Sequence, residues 1–98
     1  MYIVRDIFYL KFGHFRNAKD LLDQALKSNL MPKAQHMRVL SDFTGDAYRL
    51  IFEEGHSTLA DYERTLGESM RTEEWQKWYV DFKQHIDSAH REILKLVE

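Results

Sequence analysis

The side chains of this chain that could do chemistry are its five histidines, its dispersed arginines and one aromatic run. His14, His36, His56, His85 and His90 form no i,i+4 pair and have no second ligand at a metal spacing. His85 and His90 stand five apart, on different sides of any helix. The histidines therefore read as exposed or singly hydrogen-bonded, and no metal is expected. The adjacent carboxylates Glu53-Glu54 and Glu73-Glu74 fall on different faces and read as a strand end and a helix start. Neither a Gly-x-Ser-x-Gly elbow nor a glycine-rich phosphate loop is present. With no cysteine, disulfides, thiolate metal sites and cysteine nucleophiles are all excluded, which fits a reducing compartment.

One constellation remains. If Val4, Phe8, Leu10, Tyr48, Leu50 and Phe52 face a layer of helices, then Arg5, Tyr9, His36, Arg38 and Arg49 share the opposite sheet face. Three guanidiniums with a phenol and an imidazole could hold an anionic or phenolate-bearing small molecule, because guanidinium matches carboxylate geometry. The alternative is that the arginines pair with Asp6, Asp42 or Glu53, since buried charges need partners whatever the function. A slip of one residue would turn every one of these side chains over.

The elements that must position them begin with Tyr2 to Phe12, a strand stopped by Gly13. Val4, Phe8, Leu10 and Phe12 line one face, with Asp6 as the exception; Ile3, Ile7 and Tyr9 line the other, interrupted by Arg5 and Lys11. A half-exposed strand alternates apolar with polar, whereas this one is apolar on both sides and needs cover on both. Phe15, Ala18, Leu21, Leu22, Ala25 and Leu26 then recur at helical spacing, and the helix ends near Asn29, before Met31-Pro32. His36 to Phe43 and Ala47 to Glu54 read as a hairpin joined by Thr44-Gly45-Asp46, with Gly55-His56-Ser57 ending the second strand. Thr58 or Ser57 caps a second helix, weakened at Gly67, and Thr72 caps a third. Trp75, Trp78, Tyr79, Phe82 and Ile86 recur at helical spacing, a stripe read as core rather than as an aromatic ligand site. The tail from Ile86 to Val97 fits a helix about as well as a strand.

Ninety-eight residues make one domain, 1–98, and 44% hydrophobic with 31% charged residues is a globular composition. A net charge of −2 without a basic run argues against nucleic-acid binding. Arg5 and Asp6 interrupt any signal-peptide core, and no stretch approaches a membrane span. The expectation is a soluble, cytoplasmic protein.

The order β-α-β-β-α-(α), closed by a last strand, is the ferredoxin-like split β-α-β with helices on one face of a four-stranded antiparallel sheet. The uncovered face, carrying Ile3, Ile7, Tyr9, Leu40 and Ile51, then calls for a second copy of the chain, so a homodimer is expected. Tyr2-Ile3-Val4-Arg5 leading to Leu10-Lys11-Phe12-Gly13 resembles the opening of dimeric α+β barrel proteins, although Phe12 stands where proline is common. Leu50 to Glu54, through Ser57 to Tyr62-Glu63-Arg64, looks like that superfamily's third strand and second helix. Glu74-Trp75-Gln76-Lys77-Trp78 is similar to the run that begins the last helix of NIPSNAP-like members.

The resemblance implies that Ala89 to Val97 is the closing strand and that the arginine-bearing face lines the barrel lumen. It implies a small homodimeric barrel binding an anionic or aromatic molecule there, through Arg5, Arg38 and Arg49. The alternative is an enzyme similar to the superfamily's cofactor-independent antibiotic-biosynthesis monooxygenases. His36 would then be the base, with Tyr9 and Arg49 as orienting groups and no cofactor.

Overall fold

The computed structural model describes residues 1–45 and 48–98. Its elements are β1 (Tyr2–Leu10), α1 (Phe15–Lys27), β2 (His36–Ser41), β3 (Arg49–His56), α2 (Leu59–Met70), α3 (Glu73–Lys83) and β4 (Ile86–Lys95). The sheet runs β2-β3-β1-β4, and every neighbouring pair is antiparallel. This is the ferredoxin-like order, with β1 and β3 in the middle.

Strand alternation divides the two faces. Val4, Leu10, Leu50 and Phe52 turn towards the helices and are buried, and Leu10, Leu50 and Phe52 form one cluster with Ala18, Leu22 and Ala25 of α1 and Trp78 and Phe82 of α3. Trp78 donates its indole N–H to the Leu21 carbonyl at 2.6 Å, so its polar edge is satisfied inside the core. The other face carries Ile3, Arg5, Ile7 and Tyr9 from β1, and among the described residues no helix packs over it.

Helix limits follow the capping chemistry. Thr58 accepts from the Asp61 N–H at 3.0 Å, and Thr72 from the Trp75 N–H at 3.2 Å. The second and third helices are therefore separate, as the sequence predicts. Helix α1 ends in a Schellman arrangement: Leu30 N–H donates to Ala25 O at 2.9 Å, with Asn29 left-handed at φ 57°.

Strand limits differ from the sequence reading. β1 stops at Leu10, leaving Phe12 exposed ahead of the left-handed Gly13. The hairpin is present, but β2 ends at Ser41 and β3 begins only at Arg49, so the connection exceeds three residues. Asp46 and Ala47, placed in that turn and strand, lie outside the described residues. Asp42 explains the early stop: its carboxylate takes the Arg49 N–H at 3.0 Å and the Arg49 Nε–H at 2.9 Å, replacing ladder bonds with a side-chain clasp. At the far end β3 continues through Gly55 and His56, because β1 pairs with it as far as Tyr2↔His56. Glycine suits that position, since a Cβ on Gly55 would meet Met1 Sδ at 3.1 Å. The tail is a strand, starting at Ile86 and ending at Lys95 rather than spanning Ala89 to Val97.

The left-handed Asn29 gives a direct test of the α1 terminus. Asn29→Ala is expected to lower unfolding free energy by about 1 kcal/mol, while Asn29→Gly changes it little. Urea denaturation of both variants checks this, and equal stability would remove the backbone argument.

Candidate functional site

On the open sheet face the arginines are already engaged. Arg5 donates from Nε to Glu53 Oε2 at 3.0 Å and from Nη1 to Glu92 Oε1 at 3.1 Å. Arg38 donates from Nε to Glu53 Oε1 at 3.0 Å. Arg49 is clasped to Asp42, with Nη2 at 2.8 Å from Oδ1. Burial pushes the Glu53 carboxyl up, yet hydrogen bonds from Arg38 and Arg5 outweigh it and hold the group below the usual carboxylate range. The three arginines read from sequence as an anion receptor thus meet carboxylates of their own chain, two of them the Glu53 and Asp42 named as alternatives. Asp6, the third carboxylate named, pairs instead with Arg91 on the helix face.

The same face does not bring Tyr9 and His36 together within one chain. Tyr9 pairs with Arg49 at one end of β1, whereas His36 lies opposite Gly55, whose β1 partner is Ile3. Six residues of strand separate the two levels, about 20 Å.

A cavity of about 280 Å³ lies on the other side, between sheet and helices. Its walls are apolar: Phe8, Met31, Pro32, Leu66, Trp75, Trp78, Tyr79 and Phe82. Trp75 and Tyr79 stack in parallel at 4.9 Å between centroids, while Trp78 and Phe82 stack at 4.7 Å and continue into the core. One aromatic stripe thus serves two purposes: Trp78 and Phe82 are buried, as expected, and Trp75 and Tyr79 line the cavity beside them.

His90 of β4 borders the cavity, and Asp6 of β1, Glu54 of β3 and Arg91 of β4 supply its charged lining. All three sit at helix-facing positions, because Asp6 pairs with Arg91 and Glu54 lies opposite Val4 in the register. Arg91 Nε donates to Asp6 Oδ1, and the guanidinium lies 5.8 Å from the Tyr62 ring centroid.

Glu54 is 2% exposed and His56 3%, and among the described residues Glu54 Oε2, His56 Nε2 and Tyr62 Oη have no hydrogen-bond partner. Burial, then the Asp6 charge, push the Glu54 carboxyl up to about 7, with Arg91 opposing. Burial lowers His56 and raises the Tyr62 phenol to about 12. Glu54 Oε1 and His56 Nε2 are 3.5 Å apart, but burial favours the neutral form of both, so the contact is not an ion pair.

A buried unsatisfied polar atom costs about 1–3 kcal/mol, and three grouped in one region call for a reason other than stability. In the sequence Asp6 stands out as the exception on its face, while Glu54 reads as part of a strand end. The missed signal is that Asp6 and Glu54 share the helix-facing parity in paired central strands.

Glu54 should show in the pH dependence of folding. Its folded value, about 7, lies above the ordinary 4.5, so its contribution is fully present below about pH 4.5 and is lost as pH rises through 7. The whole effect is on the order of 3 kcal/mol. Glu54→Gln is expected to gain about 2 kcal/mol on the wild type between pH 5 and pH 8. Denaturation curves at both pH values read this, and a pH-independent difference would mean that the carboxyl ionises as freely as in the unfolded chain.

No protein-family model matches the chain, and no curated protein does. Solved structures do share its fold. An uncharacterised NIPSNAP-like domain protein from Burkholderia xenovorans superposes with a TM-score of 0.88 at 14% identity, covering 98% of this chain and 84% of that one. A NIPSNAP family protein of unknown function from Agrobacterium tumefaciens gives 0.84 at 17% identity, over 98% and 87% of the two chains. An antibiotic biosynthesis monooxygenase gives 0.74 at 15% identity, with both chains covered completely. The ferredoxin-like fold of this chain is that of NIPSNAP and antibiotic biosynthesis monooxygenase structures.

Proposed function

We propose that the protein binds a small, planar, uncharged aromatic molecule in the cavity between helices and sheet, and does so as a homodimer joined through the open sheet faces. The observation that carries the binding reading is Glu54, a residue that lines an aromatic-walled cavity and carries a buried carboxyl oxygen without a partner. Trp75 and Tyr79 offer flat surfaces for stacking. Charge offers an anion no gain, because the guanidinium of Arg91 in the cavity lining is already bound to Asp6. The lumen arginines offered the case for an anionic ligand, and their pairing with Glu53, Glu92 and Asp42 weakens it.

Dimerisation is supported by the composition of the open face. Ile3, Ile7, Leu40, Ile51 and Leu94 surround a stripe in which Arg5 and Arg38 are matched by Glu53 and Glu92. An apolar surface with balanced charges can meet a two-fold copy of itself without net repulsion.

A second reading, a cofactor-independent monooxygenase, is favoured by the full-length likeness to the antibiotic biosynthesis monooxygenase. It needs oxygen uptake that depends on a bound activated phenol.

Tryptophan fluorescence tests the ligand class. At pH 7, 2-naphthol is expected to bind at least tenfold more tightly than 2-naphthoate, and filling the cavity with Leu66→Trp should abolish binding. Naphthoate binding as tightly would overturn the charge argument, and binding of neither would overturn the cavity reading. An oxygen electrode on samples with 1,4-dihydroxynaphthalene tells binder from oxygenase.

Light scattering after size exclusion tests the dimer. Wild type should elute at twice the chain mass. Leu40→Glu, at an already exposed position, should be monomeric with an unchanged circular dichroism spectrum. A monomeric wild type at micromolar concentration would overturn the assembly.

A further inference from the structure

We propose that Glu54 is a general base, giving the cavity a cofactor-independent proton-transfer activity towards planar conjugated carbon acids. This rests on the cavity reading above and adds a reaction to it. Three observations combine. Glu54 lines the cavity and is nearly inaccessible to bulk water, with Oε2 unpartnered. A carboxylate stripped of water is a far stronger base than the same group in solution. The aromatic walls can hold a flat substrate against the sheet, which converts a collision into an intramolecular transfer.

Arg91 completes the arrangement. Only Nε of its guanidinium is bound to Asp6, and the residue lines the same cavity as Glu54. In the step itself, a C–H bond of the substrate breaks and its proton passes to the Glu54 carboxylate. The electron pair moves through the conjugated system to an electronegative atom, where Arg91 stabilises the negative charge. Return of the proton to the same or another carbon restores Glu54 and leaves an exchanged or isomerised product. No electron acceptor or donor is needed.

The groups facing Glu54 set when it is competent. Asp6 from β1 raises its proton affinity and Arg91 from β4 lowers it, while His56 of β3 and Tyr62 of α2 are both kept neutral near pH 7 by burial. The segment after α1 and helix α3 contribute Met31, Pro32 and aromatic rings there, with no charge. Activity should therefore rise with pH and level off above about 7.

The test uses 5-nitrobenzisoxazole, a flat carbon acid. Loss of its ring C–H proton to a base breaks the N–O bond, forms a nitrile and releases a coloured phenolate. The full chain should open this ring at least 100-fold faster than acetate at equal concentration, within the range of general bases. Glu54→Gln should remove that advantage, Glu54→Asp should keep part of it, and 2-naphthol should inhibit competitively. Wild-type turnover no faster than that of Glu54→Gln, with 2-naphthol still bound by both proteins, would overturn the base and leave the binding reading intact. Failure of wild type to bind either 2-naphthol or the probe would overturn both. A rate independent of pH between 5 and 9 would also overturn the assignment, because ionisation of Glu54 would then not control it.

Discussion

A four-stranded sheet has two faces, and three helices of this length cover only one. That inequality governs the molecule. On the covered face, close packing excludes water and makes any polar group expensive unless paired. On the open face, charge is tolerated only where opposite signs meet. The chain satisfies the second condition completely around Glu53 and departs from the first at Glu54. These are adjacent residues of one strand, pointing in opposite directions. Glu53 is held ionised by two guanidiniums, whereas Glu54 is driven towards its neutral form by burial. The contrast shows how little a residue type says about its chemistry until its face is known.

Much of the architecture was legible in the sequence because it rests on period. The double-sided apolarity of β1 announces a central strand and the caps at Thr58 and Thr72 mark helix starts, whereas the parity of Leu50 and Phe52 groups the residues of one face without saying which face the helices cover. The closing strand was not legible from period alone, and only resemblance placed it. The hairpin limits were misjudged because Asp42 caps the end of the ladder through its side chain, a contact that propensity does not describe. The stretch Gly55-His56 looked like a strand end because glycine usually weakens strands, but here the absence of a Cβ is what lets Met1 lie close.

The candidate site was less legible, for a physical reason. Helical spacing in Trp75, Trp78, Tyr79 and Phe82 specifies one face of a helix but not the depth at which each ring sits. All four rings border the cavity, but only Trp78 and Phe82 also belong to the buried core, and the difference depends on how α3 lies over the sheet. Nor could the arginines be judged by type. Arg5, Arg38 and Arg49 meet acids on their own face, whereas Arg91, which drew no notice in the sequence, shares the cavity with the unpartnered Glu54.

The clasp between Asp42 and Arg49 has an evolutionary consequence. It fixes both ends of the β2–β3 connection by side-chain bonds, so the strands flanking it do not depend on how many residues lie between. Phe43, just inside the clasp, is fully exposed. Doubling such a loop costs only about 0.6 kcal/mol in closure entropy. This connection is therefore where descendants of the chain can acquire extra sequence, such as a recognition segment or a lid, without disturbing the sheet that carries Glu54.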